Sequence, residues 1–364
     1  MATSTRSALL NAHTGKSKPS ELRPILTSLN GDNSWLMSFP VPASKSRKDP
    51  KPRKAYYHIV WDPWFATSGA AVTFASWLAS VSQTAQSTVN SGDDVEQIAR
   101  EIESKAVEAD LVKGIGGEAE LMVDAIIVSF HYTDHMHEAS LRKFDRRIPV
   151  MAASEAAAIM EGWDYFQAVA TMKDVGDEGS NWQALHPNGA LPAWLTPFRL
   201  KGEHELNFAT VLVWSHPGVD GGDDAGAAPT TVHEALWVAP HGIRMDQPAL
   251  QAFLRETTKT VDVLAMLHPL KESFTWGWQN VYGARGGLAI DRALKDKGPK
   301  YWVPAADAVL GYWGLIMLRV WDIRRTLDWG LAEEERLAGE KGEAVTKRRP
   351  NLVEVGNGAS LVLE

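Results

Sequence analysis

The chain has 364 residues, 45% apolar and 23% charged, an ordinary balance for a globular protein and enough length for a sizeable core. No window of eighteen apolar, uncharged residues occurs and there is no cysteine. That excludes a transmembrane helix, disulfides, thiolate metal sites and a cysteine nucleophile. The net charge of −8 is uneven, because residues 1–54 carry ten Lys/Arg against three Asp/Glu and the remainder is strongly acidic.

The basic, polar start (residues 1–24) is expected to be disordered and lacks the apolar core of a secretory signal. With the lack of cysteine, this makes a cytoplasmic location the expectation. Strands are expected at Ser34–Phe39 and Tyr56–Trp61, separated by the run Lys45–Lys54. That run is broken by prolines and not interleaved with aromatics, so it reads as a solvated loop and nucleic acid is not an expected partner. Apolar residues at Val95, Ile98, Ala99, Ile102 and Ala106 predict a helix over Asp93–Val112, with Ser91 to Asp93 offering cap chemistry.

The apolar run Asp124–Phe130 predicts a strand that delivers the loop Ser129-Phe-His-Tyr-Thr-Asp-His-Met-His137, followed by a short helical pattern, Glu138–Phe144. Three histidines and an aspartate in one turn are metal-ligand and proton-transfer chemistry, rarely packing alone. Further strands are expected at Ile148–Ala152, Ala209–Trp214, Ala235–Ala239, Val261–Leu267 and Tyr301–Val303. Helices are expected at Ser154–Gly162 and Pro248–Glu256, with a long one from Ala306 to Glu340. Residues 217–230 read as low-complexity filler. Interleaved strands and helices without a clean break predict one α/β domain over 25–345, with 346–364 as a tail. Gly283–Leu288 lacks the spacing of a nucleotide loop, and no Gly-x-Ser-x-Gly elbow occurs. Fifteen tryptophans suit core packing and also a pocket for a bulky apolar ligand.

Six segments in order carry a resemblance: Asn30–Trp35, Asp62-Pro-Trp64, Ser129–His137, Ala239-Pro-His-Gly-Ile243, Met266–Leu270 and Tyr301–Ala308. Together they resemble metallo-β-lactamase-fold proteins of the filamentous-fungal type. The resemblance implies an αββα sandwich with metal ligands on loops at one edge of two sheets. It also implies where the ligands are missing: Phe130 and Ala306 stand at histidine positions, and Asn207 aligns loosely with a third. Phenylalanine and alanine donate nothing, so the site is expected to be degraded, without a two-metal centre.

Asp134, His135 and His241 are the expected catalytic groups. Phe130, Tyr132, His137, Trp64 and His268 are the expected substrate-binding residues. Asp62 reads as a structural turn carboxylate before Pro63, and Asp307 as an acid at a helix start. No cofactor is expected; one divalent ion held by Asp134, His135 and His241 is the alternative. The expected partner is a small molecule, with no integral membrane association. The favoured function is a tailoring enzyme of specialised metabolism performing a non-redox cyclisation, isomerisation or elimination on a bulky apolar substrate. A single-metal hydrolase of an ester, lactone or thioester is the first alternative, and a non-catalytic binding protein the second.

Overall fold

The computed structural model describes residues 2–42, 54–73, 75–112, 120–176, 181–218, 230–342 and 348–364, with residues 2–4 and 73 described by backbone alone. Most of the basic run 45–54 and of the filler loop 217–230 lies outside the described residues.

Two mixed sheets form the frame. The first runs, edge to edge, Ser360–Val362, Ile25–Ser28, Trp35–Pro40, Tyr56–Trp61, Val123–Val128, Val150–Ala152 and Val169–Thr171. The second runs Tyr301–Val303, Asp262–Leu267, Thr231–Val238, Phe208–Pro217, Leu195–Lys201 and Lys173–Asp174. Alternation along the strands explains the layering. Leu212, Trp214, Leu236, Val238 and Leu264 of the second sheet join the core of the first. Their neighbours Val211, Val213, Ala235, Trp237 and Val263 join a separate cluster with Leu250, Phe253, Leu288 and Ile290 of the helices Pro248–Glu256 and Ala284–Leu294. A period of two turns one set inward, between the sheets, and the other outward, under helices. The helix Gly92–Glu108 covers the first sheet through Val95, Ile98, Ala99, Ile102 and Ala106. The order is therefore helix, sheet, sheet, helix: an αββα sandwich.

The helix Gly92–Glu108 shows why these residues take this shape. The Ser91 side chain accepts the Asp94 N–H, Asp93 and Asp94 sit in the first turn and Lys105 in the last, matching the helix dipole. Gly92 permits a close crossing, since a Cβ there would lie 2.3 Å from the Lys143 carbonyl. Each buried Val or Ile on its inner face contributes roughly 1.5–3 kcal/mol by leaving water.

Several expectations are corrected. The start is ordered: Ala2–Thr14 is a helix whose Leu10 is fully buried, and Arg6 pairs with Glu101. The region after 345 is not only a tail, because Ser360–Val362 pairs antiparallel with Ile25–Ser28. The long helix from Ala306 does not form. That stretch holds strands Leu310–Trp313 and Val320–Ile323 around a short turn of 3-10 helix, Ile316–Arg319, and the helix is Leu327–Lys341. Gly311 and Gly314 lie within it, and Gly314 has φ +108°, which a helix cannot use. Two small sheets result: Ala71–Thr73, Ala79–Gln83 and Leu310–Trp313; and Glu272–Thr275, Trp278–Val281 and Val320–Ile323.

The parallel strands matter most for function. Tyr56–Trp61, Val123–Val128, Thr231–Val238, Asp262–Leu267 and Tyr301–Val303 end toward one edge, and the loops leaving them carry Asp62, Ser129–His137, His241, His268 and Asp307. Ligand sites in such sheets lie beyond the carboxyl ends of the strands.

Candidate active site

A cavity of about 550 Å³ opens at that edge, between the loop ends and the two small sheets. Asp134, His135 and His241 line it together, with Tyr132, Asp32, Asn33 and Lys271. Much of the remaining wall is apolar, including Leu206, Val281, Leu310, Ile316, Met317 and Val320.

His135 is set by Asp62. The Asp62 carboxylate is fully buried at the end of its strand, with φ +41°, and accepts the Ser129 N–H at 2.7 Å and the Ser129 hydroxyl. His135 Nδ1 is 2.8 Å from Asp62 Oδ2. Asn33 Nδ2 is 2.7 Å from the same Nδ1 and 3.3 Å from the same carboxylate oxygen. One ring nitrogen cannot both donate to Asp62 and accept from Asn33. An acceptor as rich as Asp62 takes the imidazole proton, and the Asn33 amide donates to Asp62. His135 Nε2 is left toward Asp134, whose Oδ2 is 3.8 Å away.

The second imidazole is close by: the His135 and His241 ring centroids are 5.4 Å apart. Their environments oppose each other. Burial alone would lower the His135 pKa, but the Asp134 charge, the Asp62 hydrogen bond and charge, and Asp32 together raise it to about 9. His241 is held well below its ordinary value by burial first, then by His135 and Lys271, against a backbone hydrogen bond at Leu206. At neutral pH the pair is one imidazolium beside one neutral imidazole. Nearby, burial raises the Asp32 pKa, against Lys271 and the Ala308 N–H, and lifts Asp307 to about 6.

Four expected binding residues lie outside the cavity lining. Phe130 is 1% exposed and packs edge-on against both imidazoles, at 5.7 Å from His135 and 6.1 Å from His241. It is a wedge behind them. Trp64 is buried with its Nε1 donating to the Gly69 carbonyl. His137 faces Ser140 Oγ at 2.9 Å, next to Trp64. His268 is fully buried with Nδ1 2.9 Å from the Pro269 carbonyl, and burial lowers its pKa to about 4. Each is buried in packed protein. Tyr132 does reach the cavity; its hydroxyl donates to Glu205 at 3.0 Å, and burial with Glu205 raises its pKa to about 12.

Asp307 is not a helix-start acid. It accepts the N–H groups of Leu270 and Lys271, tying two strand-end loops together. Asp62 is more than a turn carboxylate, and reading the sequence missed its hold on His135. Lys271 was also missed; its ammonium donates to the Ala308 carbonyl at 3.0 Å and lies 3.5 Å from Asp322. The Asp-Pro-Trp turn was the available signal for Asp62. Lys271 had none beyond its nearness to His268.

The donor set does not fit the metal centre that the resemblance implies. Among the described residues no group of three or more His, Cys, Asp or Glu is placed to hold an ion. Asp62 occupies one nitrogen of His135, Phe130 fills the space behind both rings, and an ammonium shares the cavity.

No family model and no curated protein matches the chain. Among solved structures it is similar to isothiocyanate hydrolase from Delia radicum gut bacteria, at 13% identity over 93% of this chain and 98% of that one, with TM-score 0.44. It is also similar to a possible metal-dependent hydrolase from Veillonella parvula, at 10% identity over 94% and 100%, TM-score 0.40. A third is the metallo-β-lactamase-fold protein YhfI from Bacillus subtilis, at 10% identity over 93% and 99%, TM-score 0.39. Overlaps of that size carry no argument about chemistry. The αββα layering rests on the strand order and alternation described above.

Proposed function

We propose that this protein is a tailoring enzyme for a bulky apolar small molecule, performing a non-redox acid/base step: an isomerisation, elimination or ring closure. The carrying observation is the pair of imidazoles 5.4 Å apart, both lining one largely apolar cavity of about 550 Å³. Two like groups with opposed protonation states are what a paired acid and base require. A setting in specialised metabolism is supported by the fungal resemblance alone.

His241, neutral, takes a proton from a carbon of the bound substrate. His135, an imidazolium oriented by Asp62, gives one from Nε2 to a second atom, and Asp134 steadies its charge. In an isomerisation the proton count of the substrate is unchanged. In an elimination the departing hydroxyl leaves with the His135 proton as water. Transfer from His241 back to His135 restores the enzyme. The apolar walls hold the substrate in a reactive shape, a large share of the barrier for a one-substrate reaction.

The test is mass spectrometry of terpenoid and polyketide-type precursors incubated with chelator-treated protein. The expected product has unchanged mass or has lost one water, and His241→Asn slows its formation about 100-fold or more. A product that has gained one water and needs added zinc would instead establish the single-metal hydrolase. Undiminished turnover by His241→Asn would defeat the assignment of the base.

A further inference from the structure

Among the described residues, ten of the eleven large exposed apolar side chains lie on the two small sheets and the turns beside them. Five are tryptophans: Trp77, Trp276, Trp278, Trp313 and Trp321, with Trp278 and Trp313 each 76% exposed. The surface is continuous. Trp276 N–H and Nε1 donate to the carbonyls of Arg319 and Ile316, and the N–H groups of Leu315 and Ile316 donate to those of Trp77 and Leu78. It is also the rim of the cavity, because Trp276, Trp278 and Ile316 both line the cavity and face solvent.

The strands explain how one element does both. Leu310 and Tyr312 line the cavity and Trp313 points out; Val320 lines it and Trp321 points out, stacked on Phe274. In a sheet covered on its outer face these would be core positions. Among the described residues nothing covers them, and they face solvent. Trp276 and Gly277 form the tip of a hairpin with φ +53° and +88°, a place where Asn-Gly is usual and a bulky residue is strained. A tryptophan held there serves something beyond the turn.

Charge narrows the partner. The segments 71–83, 271–281 and 309–325 contain two carboxylates, Glu272 and Asp322. Glu272 is bound by Arg285 and Arg325, and Asp322 by the Tyr312 hydroxyl and Lys271. Arg319 and Arg324 are exposed beside the tryptophans, Arg319 over the Trp276 ring. An acidic protein thus presents a local face of tryptophan, leucine and arginine with its acids bound internally. Tryptophan favours the headgroup level of a bilayer, and arginine favours anionic headgroups.

We propose that this rim docks on an anionic lipid bilayer, so that the cavity opens onto the membrane and takes a lipid-dissolved apolar substrate from it. This rests on the proposed function for the substrate, but docking is measured without turnover. The experiment is co-sedimentation of the full chain with vesicles of phosphatidylcholine alone and of phosphatidylcholine with phosphatidylserine, run beside size-exclusion chromatography. The native protein is expected to bind the mixed vesicles with a blue-shifted tryptophan emission and to bind the neutral ones more weakly. The triple variant Trp278→Ser, Trp313→Ser, Leu318→Ser is expected to lose binding about tenfold or more with an unchanged melting temperature. Arg319→Glu should weaken binding to the mixed vesicles more than to the neutral ones, and His241→Asn should leave both unchanged. Absence of vesicle binding by the native chain, or equal binding by the triple variant, would overturn the proposal. So would a native dimer that the triple variant converts to monomer, since the rim would then bind a second copy.

Discussion

The sandwich and the rim use the same residue for opposite ends. Trp35, Trp61, Trp64, Trp237 and Trp302 are each at most 1% exposed, inside the two-sheet frame, while Trp278 and Trp313 are 76% exposed on sheets of three strands. A large sheet has helices or a second sheet to bury each face. A three-stranded sheet beside a cavity has one face for the cavity and leaves the other to water or to a partner. Tryptophan abundance therefore means stability in the first region and recognition in the second. Substitutions at matched residues separate the two.

The largest effect is expected at Trp302. Its ring fills the space above Gly287, where an added Cβ would lie 2.3 Å from it, and its Nε1 donates to the His268 carbonyl at 2.9 Å. Trp302→Ala leaves a cavity and an unpaired carbonyl, so a loss of about 3–5 kcal/mol is expected in urea unfolding. A loss below about 1 kcal/mol would mean that this strand is not part of the frame.

His135 lies where the two regions meet, and its effect is pH-dependent. A folded pKa of about 9 exceeds the ordinary 6.5, so the folded state binds the proton more tightly. That stabilisation is full below about pH 6.5 and is lost as pH rises through 9, on the order of 3 kcal/mol in all. His241 and His268 have the reverse sign. Their lowered values mean that unfolding takes up protons, so stability is lost as pH falls below 6.5. Thermal melts across pH should peak near 6.5 for the native chain. In His135→Asn the alkaline fall should disappear and the acid fall remain. An alkaline fall of unchanged size would place the responsible proton elsewhere.

The same division decides what could be read in the sequence. Tyr56–Trp61, Pro248–Glu256 and Tyr301–Val303 were legible to the residue, and the frame strands ending at Val128 and Leu267 within two, while Thr231–Val238 begins four residues before its expected start. Burial on both faces writes a continuous apolar run. The rim strands were not legible. Leu310–Trp313 and Val320–Ile323 are four residues each, and the apolar stretch between them passes for a helix until Gly314 is seen at φ +108°. In the site, the histidines declared themselves by type, and the resemblance put Asp134, His135 and His241 in one list. What they share only geometry supplies. Asp62 is 73 positions before His135, and no local pattern links a turn aspartate to a ring that far along. Phe130, His137 and His268 look like substrate-binding residues by position, yet each is turned into packing.

The smallest effect is expected at Trp313, and its smallness is the point. A tryptophan removed from a folded interior costs several kcal/mol, but Trp313 is 76% exposed and its strand is held by backbone pairing with Ala79–Gln83. Trp313→Ser is therefore expected to change the unfolding free energy by no more than about 0.5 kcal/mol. Tyr312, its neighbour, faces the cavity and binds Asp322 at 2.8 Å, so it serves as the internal control. Tyr312→Phe leaves Asp322 without that donor and should cost about 1 kcal/mol while leaving the outer face unchanged. A clear destabilisation by Trp313→Ser, read in the same melts, would mean that some part of the chain folds over the rim. The ring would then belong to the core after all, and the contrast between the two regions would collapse.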